Sequence, residues 1–202
     1  MIRVVIADDE RLIRESLEMI LSLEDDIEVV GTADRGDLVA GLADRHDADV
    51  VLLDIDMPGL DGLQTASLLA AARPGRGIVI LTGHAKPGYL HRAMRSGVRG
   101  FLSKGTMSAG ALAEAVRTIH RGGRYIDPEL ATEAVALGTS PLSPRETEII
   151  RLSGDGLTFP EIAGRLHLSE GTVRNYMSSA ITKLGVANKV AAYRAASTAG
   201  WL

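Results

Sequence analysis

Five short apolar blocks, separated by stretches with helical periodicity, constrain this chain more than any other feature. They are Ile2–Ala7, Ile27–Thr32, Val50–Leu53, Ile78–Thr82 and Gly100–Ser103. Between them Leu12, Leu17, Ile20 and Leu21 keep the spacing of a helix stripe, as do Leu63, Ala66, Leu69 and Ala70. Strands that are apolar along their whole length are buried on both faces. In a strand–helix alternation that means a parallel sheet with helices on either side. Five such units within the first 122 residues predict a flavodoxin-like, doubly wound α/β domain with a five-stranded parallel sheet.

The pattern changes after the fifth unit. Gly122-Gly123 ends its helix, and Gly138-Thr139-Ser140-Pro141 is turn-rich. The reading is a domain over 1–122, a linker over 123–140 carrying a short helix at Pro128–Leu137, and a second domain over 141–202. The second domain has no strand signal. Ser143-Pro144-Arg145-Glu146 is a capping box with proline at the first helical position, and Thr158-Phe159-Pro160-Glu161 repeats it. Ser169 caps a third helix that stops at Gly185, and Asn188 caps a fourth, which makes the domain an all-α four-helix unit. Charge follows the same division. Residues 1–139 carry a net charge of -6, whereas residues 140–202 carry seven basic and five acidic side chains, which brings the total to -4. Two domains with different partners are implied.

Composition removes several classes of function. With 46% hydrophobic residues the chain is too apolar for disorder. The absence of cysteine excludes disulfide scaffolds, thiol catalysis and thiolate-bound zinc. No apolar run approaches the roughly 18 residues of a membrane span, and MIRVVIADDE turns acidic too early for a signal peptide. A cytoplasmic protein without membrane insertion is expected. His46, His84, His91, His120 and His167 show no ligand spacing.

The chemistry concentrates at strand ends. Asp8-Asp9 follow the first strand, Asp54 ends the third, Thr82 the fourth and Lys104 the fifth. Ligands of open α/β sheets bind at those carboxyl ends. Alone, each residue reads as a helix cap, a turn residue or a solvated lysine; jointly and in this order they define a pocket. Three clustered carboxylates repel one another and call for a cation, and oxygen ligands beside a phosphate favour Mg²⁺. Lys104 supplies a compact charge for phosphate and Thr82 a hydroxyl donor, leaving Asp54 as a nucleophile toward phosphorus.

Asp8-Asp9, the DIDMPGLDG segment around Asp54, Thr82 and Phe101-Leu102-Ser103-Lys104 resemble the receiver domain of two-component systems. The resemblance implies Asp54 as acceptor of a phosphoryl group from a sensor histidine kinase. It implies metal contacts from Asp8, Asp9, Asp54 and the backbone carbonyl of Asp56, phosphate pairing by Lys104, and Thr82 with Phe101 as a switch pair. Gly105 departs from the proline that many receivers carry after this lysine.

The third tail helix, Glu170–Leu184, separates by face. Val173, Met177, Ala180, Ile181 and Leu184 form an apolar stripe. Arg174, Asn175, Ser178 and Thr182 lie opposite, flanked by Thr172, Tyr176, Ser179 and Lys183. That face suits a recognition helix in a major groove: Arg174 and Asn175 have the donor sets to read guanine and adenine, and Thr172, Tyr176, Ser178, Ser179 and Lys183 suit bases or phosphates. A charge of +2 alone favours an ordinary solvated face. LSPRETEIIRL, GLTFPEIAGRL and LSEGTVRNYMSSAITKLGV, however, resemble the LuxR-type helix-turn-helix of NarL/FixJ regulators, most like the DesR branch. The implied function is transcriptional control: phosphorylation produces a homodimer that binds double-stranded promoter DNA. The competing reading is a small phosphatase of haloacid dehalogenase type, because Asp54-Ile55-Asp56 matches its nucleophile-x-acid motif. There the motif ends the first strand; here it ends the third.

Overall fold

The computed structural model describes residues 1–83 and 86–202, the side chain of Pro87 excepted. His84 lies outside the described residues. The chain forms two compact units, one comprising Met1–Ala85 and Leu90–Glu133, the other Lys86–Tyr89 and Ala134–Leu202.

The first unit alternates β1 (Ile2–Ala7), α1 (Arg11–Leu21), β2 (Ile27–Ala33), α2 (Gly36–Arg45), β3 (Val50–Asp54), α3 (Gly62–Ala72), β4 (Gly77–Thr82), the part of α4 (Pro87–Arg95) from Leu90 on, β5 (Gly100–Ser103), α5 (Ala109–His120) and β6 (Tyr125–Ile126). The strands pair in parallel in the order β2-β1-β3-β4-β5-β6. β3 and β4 are buried at every residue, as their unbroken apolar runs require. Alternate residues point to opposite faces. Val4, Ile6, Val50, Leu52, Val79, Leu81 and Leu102 therefore pack with Leu17 and Leu21 of α1 and with Leu112, Val116 and Ile119 of α5, while α2 and α3 pack against each other and against the sheet.

Two expectations need correction. Leu12, placed on the α1 stripe with Leu17, Ile20 and Leu21, is 75% exposed; Leu17 and Leu21 are buried as that stripe requires. The sheet also has a sixth strand within the stretch expected to be linker. β6 is two residues long and pairs with β5, so its ladder depends on a distant partner rather than on any local periodicity. The short helix after it, α6 (Pro128–Leu137), has the expected bounds.

The second unit contains α7 (Pro144–Gly154), α8 (Phe159–Leu166), α9 (Glu170–Leu184) and α10 (Lys189–Thr198). Ser143 and Glu146 form the expected capping box of α7. At α8 the Glu161 carboxylate accepts from both the N–H and the hydroxyl of Thr158, each at 2.7 Å. Ser169 and Asn188 cap α9 and α10 through their side-chain oxygens. Between α8 and α9 the chain turns on His167, whose φ of 53° places a non-glycine residue in the left-handed region. The core joins Ile149, Ile150, Ile162, Val173, Met177, Ala180, Ala192 and Ala196.

Candidate functional site: a carboxylate pocket and a polar helix face

β1 and β3 are neighbours in the sheet, yet the chain leaves them toward different sides of the strand order, so their carboxyl ends flank a crevice. Asp8 follows β1 and is 1% exposed; Asp54 ends β3 and is 5% exposed. Carboxylate oxygens of Asp8, Asp9 and Asp54 all lie within 4.8 Å of one another. Lys104, just after β5, reaches into this group: its Nζ lies 2.6 Å from Asp8 Oδ2 and 2.8 Å from Asp54 Oδ1. Glu10, which sequence reasoning did not single out, adds a carboxylate 3.9 Å from the same ammonium.

Backbone donors fix the carboxylates. The Glu10 N–H donates to Asp8 Oδ1 at 3.0 Å, and the Asp56 N–H donates to Asp54 Oδ2 at 2.9 Å. Arg14, also not foreseen, donates from Nη1 to the Asp8 carbonyl at 2.6 Å. The loop after β3 closes tightly over Asp54: the Gly62 N–H donates to the Ile55 carbonyl at 2.9 Å, and a Cβ at Gly62 would lie 2.0 Å from the Asp54 carbonyl oxygen. Only glycine permits that approach.

Burial pushes the Asp8 carboxyl above its usual range, against the lowering effect of Lys104 and with a smaller upward push from Asp54. Burial alone would lower the Lys104 ammonium, but hydrogen bonds to Asp54 and Asp8 outweigh it and hold the pKa above the ordinary lysine value. The lysine is therefore a fixed positive charge. Thr82 ends β4, and Phe101 is the second residue of the adjacent β5, opposite Ile80; both are fully buried.

In the second unit α9 buries Val173, Met177 and Ala180 and exposes Arg174, Asn175 and Ser178. Thr172 and Tyr176 are half-buried, Thr172 sharing a 2.8 Å hydroxyl contact with Ser169 and Tyr176 packing on the core. Arg174 donates from Nε to Glu170 Oε1 at 3.1 Å. Ser179 and Lys183 also contact α7, although Lys183 stays 40% exposed. The Ser179 hydroxyl donates to Glu146 Oε1 at 2.7 Å, and Lys183 Nζ lies 2.7 Å from Glu146 Oε2. Glu146 is 3% exposed. Burial raises its pKa, but Lys183, Ser179 and Ser143 outweigh burial and bring it down from 4.5 to about 2. A buried carboxylate on α7 thus draws both side chains toward the protein, a pull that the periodicity of α9 does not reveal.

Residues 4–117 match the family described as "Response regulator receiver domain", and residues 140–196 match "Bacterial regulatory proteins, luxR family". The chain is 39% identical over 201 residues to the transcriptional regulatory protein DesR of Bacillus subtilis (strain 168), covering 100% of this chain and 99% of that protein. It is a two-component response regulator of the NarL/FixJ family. Solved structures agree. The response regulator ChrA of a heme-sensing two-component system superposes with a TM-score of 0.59 at 35% identity, covering 100% of this chain and 98% of that one. A complex of the response regulator RcsB with DNA superposes with a TM-score of 0.67 at 26% identity, covering 98% of each chain. The phosphatase reading finds no support: in this NarL/FixJ regulator Asp54-Ile55-Asp56 comes at the end of β3, behind Asp8-Asp9, and a LuxR-type helical unit succeeds the receiver. Among the described residues no helix is long and apolar enough to cross a membrane.

Proposed function

We propose that this response regulator accepts a phosphoryl group on Asp54 from a sensor histidine kinase and, as a homodimer, binds promoter DNA through α9. The observation that carries the first half is the Lys104 ammonium bridging the almost fully buried Asp8 and Asp54. One Oδ of Asp54 attacks phosphorus, the bond from phosphorus to the kinase histidine nitrogen breaks with its electron pair leaving on nitrogen, and an acyl phosphate remains. Lys104 pairs with the incoming phosphoryl oxygens, and the Thr82 hydroxyl donates to one of them.

Three clustered carboxylates beside one ammonium, two of them almost fully buried, fit a hard divalent cation held by oxygen. Asp8, Asp9, Asp54 and the Asp56 carbonyl would hold Mg²⁺, which when bound neutralises phosphoryl oxygens. Asp9, exposed at the rim, is the carboxylate least committed to protein contacts. Domain limits of 1–122, 123–140 and 141–202 accompany this reading, with Thr172, Arg174, Asn175, Tyr176 and Ser178 as the DNA-facing set.

The test is labelling with acetyl phosphate or beryllofluoride in the presence and absence of Mg²⁺. Label should require Mg²⁺, disappear in Asp54→Ala and fall sharply in Asp9→Ala. Label that persists in Asp54→Ala assigns the acceptor elsewhere.

A further inference from the structure

Phe159 is the first residue of α8, half-buried against the core of the second unit, and its place beside the Thr158 cap leaves its ring without an assigned role. Two cations gather on that ring. The Arg174 guanidinium carbon lies 5.0 Å from the ring centroid and Lys189 Nζ, from the start of α10, lies 5.4 Å from it. Both distances are within the range in which the ring quadrupole attracts a cation. Arg174 is held from a second side by Glu170, one turn earlier on α9. Its long side chain therefore has a ring and a carboxylate limiting the rotamers it samples. Lys189 is exposed, carries no ion pair among the described residues, and is joined to Arg174 through this one ring.

The geometry points to Phe159 as a positioning residue of the DNA-reading face: its ring sets Arg174 for a base edge and Lys189 for a neighbouring phosphate. This rests on the proposal that α9 reads DNA. A side chain ordered before association loses less freedom on binding, so the ring favours the specific complex over random contacts. Lys189 thereby joins the DNA contacts as a backbone-binding residue, in the role the sequence assigned to Lys183, which Glu146 engages instead.

The experiment uses the full chain, beryllofluoride-treated, with a duplex selected by the protein from a random library and a scrambled duplex of the same composition. The readouts are the affinity ratio between the two and the salt slope. Phe159→Leu keeps apolar packing and removes the ring; it should lower the ratio about threefold to fivefold, the size of an exposed cation–π contact. Phe159→Tyr should retain the wild-type ratio. In an Arg174→Ala background Phe159→Leu should change the ratio no further, whereas a general loss of structure would lower binding in both backgrounds. Lys189→Ala should reduce the salt slope by about one on both duplexes. A Phe159→Leu effect of equal size with and without Arg174 overturns the positioning role. An Arg174→Ala protein with an unchanged ratio overturns the underlying reading of α9, an outcome distinguishable from the first. If Phe159→Leu unfolds the unit, Phe159→Met and Phe159→Tyr carry the same comparison, and failure of Tyr to exceed Met in the ratio refutes the proposal.

Discussion

Two buried carboxylates show opposite uses of the same chemistry. Burial raises the pKa of the Asp8 carboxyl, and Lys104 offsets only part of that rise. Glu146 is nearly as buried, but three donors to its carboxylate, from Lys183, Ser179 and the Ser143 backbone, make its ionised form the favoured one. A carboxylate whose pKa is depressed on folding stabilises the fold above its unfolded value and loses that contribution as pH falls through the folded value. For Glu146 the window runs from 4.5 down to about 2. Across it the second unit should lose on the order of 2 kcal/mol, at about 1.4 kcal/mol per pH unit and after discounting for the exposure of Lys183. Glu146→Gln should cost about 2 kcal/mol near neutral pH and flatten the acid limb. Trp201, the single tryptophan, packs on the core of this unit, so its fluorescence in urea titrations at several pH values reads the effect directly. An acid limb of unchanged steepness in Glu146→Gln would place the titrating group elsewhere.

At the scale of elements, close helix packing replaces aromatic bulk, as a chain with 3% aromatic residues requires. A Cβ added at Gly154 near the end of α7 would lie 2.0 Å from the Tyr193 ring of α10. Gly154→Ala gains about 1 kcal/mol of helix propensity and loses about 1–3 kcal/mol to overpacking, so a net destabilisation is expected. In a Tyr193→Leu background the same substitution should become neutral or stabilising; thermal melts of the four variants decide it. The contrast between legible and illegible elements has a physical basis. Caps at Ser143, Ser169 and Asn188 are local chemistry, and the sequence displays them directly. The receiver pocket was readable for a related reason: strand ends are marked by the chain itself, and the fold brings them to one edge. β6 and the Glu146–Lys183 pair were not readable, because each depends on a partner more than twenty residues away. Leu12 misled for another reason. An apolar residue fits a helix stripe whether the protein core or a partner covers it.

At the scale of the whole molecule, that exposed residue belongs to a set. Leu12, Met19 and Leu23 are 75%, 69% and 78% exposed on or just after α1. We infer that the homodimer of the proposed function covers this face. Ala113 and Ala115 of α5 are buried in the core and contribute nothing to an exposed face. Analytical ultracentrifugation should show the monomer mass doubling on beryllofluoride treatment. Met19→Glu should hold the treated chain at monomer mass while leaving the Asp54 label intact. An unchanged mass in the wild type would remove dimerisation from the mechanism. The sixth strand changes the setting of β5. β5 carries Phe101 and leads to Lys104, yet it is an interior strand: the Tyr125 N–H donates to the Arg99 carbonyl and the Asp127 N–H to the Phe101 carbonyl, each at 3.0 Å. Any shift of β5 therefore either drags the start of α6 with it or snaps those two bonds. A displacement that starts at Lys104 would then pass through the β5–β6 hydrogen bonds to the residues that open α6.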